Sequence, residues 1–91
     1  MANERYTSVW DALADTPEEA VNLRVRSELI MALTSVVKGW HMSQPEAAAR
    51  LHVTQPRLKD LLKGKIDKFS LDSLVNMLTS VNLKIQIEVT D

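Results

Sequence analysis

The chemistry-bearing side chains of this sequence gather in one run, Thr54, Gln55, Pro56, Arg57, Lys59 and Asp60, with Gln44 upstream of it. Gln55 carries a donor and an acceptor on one planar amide, a pair that matches adenine N6 and N7. The fork of Arg57 matches guanine O6 and N7, or a phosphate. Lys59, Lys63 and Lys65 are point charges suited to phosphates, which set affinity and position rather than sequence. Each lysine taken singly is almost as well explained by solvation; the cluster is the stronger signal. Gln44 stands where a helix would begin, so its amide and the unpaired backbone N–H groups there suit an anion, although simple capping also explains it.

Catalytic chemistry is not readable. There is no cysteine, which removes disulfides, thiolate metal sites and cysteine nucleophiles. His41 and His52 are too few for a histidine metal site, and neither has an orienting carboxylate at a recognisable spacing. Glu18 and Glu19 form a carboxylate pair that helix capping already explains. The two glycines form no phosphate loop. A binding protein that is not an enzyme, without cofactor or metal, is expected.

The 91 residues suffice for one small domain, marginal alone and inclined to oligomerise. No segment has the length of apolar residues that a membrane span or signal peptide needs, so a soluble, cytoplasmic protein with no membrane partner is expected. The formal net charge of −1 hides a sharp division. Residues 1–37 carry three basic groups against six acidic ones, net −3; residues 38–68 carry seven against three, net +4; residues 69–91 carry one against three, net −2. A basic centre between acidic ends suggests two surfaces with different partners, against the alternative of an ordinary mixed surface.

Four helices must position the polar run. Thr16-Pro17-Glu18-Glu19 reads as a capped start, followed by Val25, Leu29, Leu33, Val36 and Val37 at helical spacing, with Gly39 supplying a left-handed exit after Lys38. Ser43 caps a short helix running to about Leu51, and Thr54 caps another that Gly64 closes. Ser70 caps the last, whose apolar face is Leu71, Leu74, Val75, Leu78 and Val81 and whose exit is Asn82. Val53 with Leu58, and Phe69 with Leu74, have the spacing of hydrophobic staples. Trp40, Met31, Met42 and Met77 are expected in the core. His52, Val53 and Thr54 leave a turn of about three residues between the two short helices. A bihelical unit of this kind docks on DNA by placing the start of its second helix in the major groove.

Ser43-Gln44, Ala48, Leu51, Val53-Thr54-Gln55-Pro56 and Leu61-x-x-Gly64-Lys65 resemble the helix-turn-helix of Cro/CI-type phage repressors and the wider XRE family. More narrowly, Thr16-Pro17-Glu18-Glu19-Ala20, Arg24, Arg26-Ser27-Glu28-Leu29, Pro45-Glu46-Ala47-Ala48-Ala49-Arg50-Leu51, Val53-Thr54-Gln55-Pro56-Arg57 and Gly64-Lys65-Ile66-Asp67-x-Phe69-Ser70-Leu71-Asp72 resemble small HigA-type antitoxins over residues 6–89. The resemblance implies a mainly α, phage-repressor-like bundle of four to five helices. It also implies operator binding as a dimer and neutralisation of a RelE-like ribonuclease toxin. His52 stands where the family often has glycine, and Pro45 where it usually has alanine; both suit their local backbone. A stand-alone phage or chromosomal repressor without a toxin is the alternative, and an adaptor that lost DNA binding is a third reading.

Outside the helical region, 16–82, two terminal segments carry expectations of their own. Leu83, Ile85, Ile87 and Val89 alternate with polar residues, the pattern of a half-buried β-strand over 83–91. A lone strand needs a partner, so pairing with a second copy as a twofold dimer on an inverted-repeat operator is expected, against an extended tail packed on the last helix. Residues 1–15 form an arm or short helix in which Tyr6, Val9, Trp10 and Leu13 could face a basic toxin; Trp10 folding back on the first long helix explains them equally well.

Overall fold

In the computed structural model the described residues are 15–84 and 86. The Thr16 hydroxyl accepts the Glu19 N–H at 3.1 Å and so starts α1, Pro17–Gly39, with Pro17 where a missing N–H loses nothing. The Glu19 carboxylate reaches back to the Asp15 N–H at 3.3 Å. Ser43, Thr54 and Ser70 repeat the device for α2, Gln44–Leu51, for α3, Gln55–Leu62, and for α4, Leu71–Ser80. A single 3₁₀ turn, Ile66–Lys68, lies between α3 and α4.

Three helix exits share one geometry. At His52, Gly64 and Asn82 the backbone is left-handed, with φ of 60°, 70° and 60°. Each time two N–H groups turn back to satisfy the last free carbonyls: Val53 to Ala48 and His52 to Ala49, Lys65 to Asp60 and Gly64 to Leu61, Leu83 to Leu78 and Asn82 to Thr79. This is the Schellman closure. His52 holds its position at a steric cost that glycine would not bear. His52→Gly should therefore raise stability by about 0.5–1 kcal/mol after glycine's greater chain entropy is counted, seen as a melting temperature several degrees higher. An unchanged or lower melting temperature would show that the turn is unstrained.

The core joins Ile30, Leu33 and Val37 of α1, Ala47, Ala48 and Leu51 of α2, Leu58 and Leu61 of α3, Phe69, and Leu74, Met77 and Leu78 of α4. α1 packs on α3, α4 and the 3₁₀ turn, while α2 packs on α3 and α4. Ala47 and Ala48 let α2 approach closely, which leaves the polar side of the bihelical unit outward. The residues spaced as staples all join this core: Leu58, Phe69 and Leu74 are buried in it and Val53 packs against it. No helix among the described residues is long and apolar enough to cross a membrane.

Several expectations need correction. Gly39 ends α1 within the helix and the left-handed residue is His41, φ 53°, because the chain takes one more turn through Trp40 before leaving. Met31 is 66% exposed, on the rim of an open hollow of about 360 Å³ between α1 and the end of α3. Met42 and Val75 are also exposed, while Trp40 is only half-buried and packs on the core from outside. The C-terminal strand does not form at its first residues: Leu83, Lys84 and Gln86 are irregular. The reason is local, for the Leu83 N–H is used to close α4 and its side chain packs on the core. Ile85, Ile87 and Val89 lie outside the described residues, as do Tyr6, Val9, Trp10 and Leu13.

Candidate nucleic-acid interface

The proposed contact residues lie on α2, the turn, α3 and the segment just after it, with Lys63 on the rim of the hollow between α1 and the end of α3. Leu58 and Leu61 are completely buried and fix which side of α3 faces inward. Gln55, Pro56 and Lys59 are thereby exposed, Gln55 and Pro56 in the first turn of α3. Thr54 is exposed and caps that turn, its hydroxyl accepting the Arg57 N–H at 3.3 Å. Gln44 occupies the corresponding first position of α2 and is exposed too. Two helix starts therefore present unpaired N–H groups, each with a glutamine as first residue.

The charged groups differ in how far they are committed. Lys59, Lys63 and Lys68 are exposed. Lys65 lies 3.6 Å from the Asp60 carboxylate, a surface pair of small energy that still holds both groups locally. Arg57 is half-buried: its guanidinium stacks 4.6 Å from the Phe69 ring centroid, and Nη1 donates to the Lys68 carbonyl at 3.4 Å. Asp60 is likewise half-buried, so of the expected contact residues it and Arg57 are the two that are not freely exposed.

Two other arginines make contacts whose partners the sequence did not name. Arg26 of α1 donates from Nη1 to the carbonyls of Ile66 at 3.2 Å and Phe69 at 3.1 Å, while its Nε is held by Asn22. The segment that Arg57 contacts is thus also tied to α1. Arg50 of α2 stacks 4.3 Å from the Trp40 ring. For Arg26 the signal is a long arginine on the helix that carries the apolar stripe, but its partners lie 40 and 43 residues away and cannot be named from periodicity.

Chemically, the Gln55 amide and the Arg57 fork are groups of the kind that match base edges, and the ammonium groups and helix starts are of the kind that suit phosphates. Among the described residues, no group of three or more His, Asp or Glu side chains is placed to hold a metal. No curated protein matches the chain. The model of a family described as a helix-turn-helix domain matches residues 12–90, which include the four α-helices of the described residues. With the match spanning nearly the whole sequence and the bihelical unit in place, the chain belongs to the helix-turn-helix family of DNA-binding domains.

Proposed function

We propose that this protein is a sequence-specific transcriptional regulator that binds an inverted-repeat operator as a homodimer and represses its own operon. The observation that carries this reading is the exposed, Thr54-capped start of α3, with Gln55 outward and Leu58 and Leu61 locking the helix beneath it. In this reading Gln55 and Arg57 contact base edges, Pro56 approaches the groove wall, and Lys59, Lys63 and Lys65 meet phosphates together with Gln44 and the start of α2. Asp60 holds Lys65 in place. Two copies related by a twofold would address half-sites about 34–36 Å apart.

The finer assignment is an antitoxin that also neutralises a RelE-like ribonuclease. It is supported by the HigA-type motifs of residues 16–20, 45–51, 53–57 and 64–72, and by the acidic, aromatic character of residues 1–15. The dimer seam is assigned to Ile85, Ile87 and Val89, beyond the point where Leu83 turns onto its own core. Co-expression with the product of the adjacent gene, followed by footprinting on the shared upstream region, tests both levels. Copurification together with protection of two half-sites one helical turn apart is the expected result. Protection without copurification leaves a stand-alone repressor, and no protection removes the regulator.

A further inference from the structure

We infer that Phe69 and the Lys68 carbonyl form a shelf that pre-sets the Arg57 guanidinium for DNA, making Phe69 a positioning residue for specificity. The inference rests on the reading of α3 as the helix that enters the groove. Arg57 is fixed at both ends. Its backbone N–H is bound by the Thr54 hydroxyl, and its guanidinium lies on the buried Phe69 ring with Nη1 on the Lys68 carbonyl. The shelf itself is held by α1, because Arg26 donates to the carbonyl of Phe69 and to that of Ile66 just before it.

A free arginine must give up several rotatable bonds when it binds, and ordering such a side chain weakens association. Here that ordering is already present before DNA arrives. One of the five guanidinium N–H groups is spent on the Lys68 carbonyl, and the remaining donors stay available for an acceptor pair. A cation over an aromatic face also keeps the guanidinium plane fixed, which matters for bidentate recognition more than for phosphate contact. The shelf should therefore act on discrimination between sequences and leave sequence-independent binding alone.

The test uses the full chain and two duplexes: one selected by the wild-type protein from a randomised pool, and a scrambled duplex of the same composition. Phe69→Leu keeps an apolar side chain at the buried position but removes the ring. It should weaken binding to the selected duplex by about 3- to 10-fold, the effect of one side chain losing its pre-ordering. Binding to the scrambled duplex should not change, and in an Arg57→Ala background Phe69→Leu should have no further effect. Ile30→Val, a mild core change on α1, controls for lost stability, with the folded fraction followed by circular dichroism. If Ile30→Val weakens selected binding as much as Phe69→Leu, or if the Phe69→Leu loss persists without Arg57, the shelf has no positioning role. If Arg57→Ala leaves selected binding intact while Gln55→Ala destroys it, the shelf is overturned and α3 keeps its place in the groove. If the wild-type protein selects no duplex, both readings fall together.

Discussion

Leu58→Ala should lower the unfolding free energy by about 2–5 kcal/mol, a large share of the ~5–14 kcal/mol expected for a chain of this size. Leu58 is completely buried, sits at the fourth position of α3 and packs in the same cluster as Val53, Leu33 and Leu74. Truncation would open a cavity where α3 meets the rest of the bundle, and the surrounding helices could close it only partly. A melting temperature lower by at least about 10 °C is expected, with specific DNA binding lost as the folded fraction falls. Gln55→Ala is the informative counterpart. Its side chain is exposed, so stability should move by no more than about 0.5 kcal/mol while specific binding weakens. Urea titrations of the two variants check both statements. A Leu58→Ala loss under ~1 kcal/mol would mean that α3 is not anchored through this side chain.

The second large effect is expected at Arg26. Its two hydrogen bonds reach across 40 and 43 residues to part-buried carbonyls, and α1 is thereby tied to the segment before α4. Removing a charged donor from such acceptors costs about 1.5–3 kcal/mol for one bond, and less than double for two that share one side chain. Arg26→Ala should thus destabilise the protein by about 2–4 kcal/mol. Arg26→Lys should recover little, since a single ammonium cannot reproduce a fork held between two carbonyls and Asn22. Amide exchange gives the local signature. The Lys68 N–H donates to Lys65 and the Phe69 N–H to Ile66, and both should exchange faster than the core amides of α1 in the variant. Equal acceleration everywhere would show that Arg26 contributes only to global stability.

Much of this architecture was legible because its signals are local. Thr16, Ser43, Thr54 and Ser70 each bond an N–H three residues ahead, so the residue type and the helix start imply one another. The exits at His52, Gly64 and Asn82 follow from the residue types that tolerate a left-handed backbone. The candidate contact surface was legible for the same reason, since caps and buried leucines fix which side of α3 is outward. What escaped the sequence depends on distant parts of the chain. Residue type suggests a core place for Met31, but among the described residues it stays exposed on the rim of an open hollow. The alternation from Leu83 onward defines two faces without naming a partner, and the closure of α4 claims Leu83 first. Arg57 was readable as a candidate contact residue, yet its contacts with the Lys68 carbonyl and the Phe69 ring depend on where the 3₁₀ turn places that segment.

The most direct test of α3 as the DNA-reading helix is an amide chemical-shift titration of the full chain with its upstream-region duplex. If the start of α3 enters the groove, the largest changes fall at Thr54, Gln55, Arg57 and Leu58, with a second group at Gln44 and Glu46. Shifts confined to the outer face of α1, with the Gln55 and Arg57 amides unmoved at saturation, would contradict it.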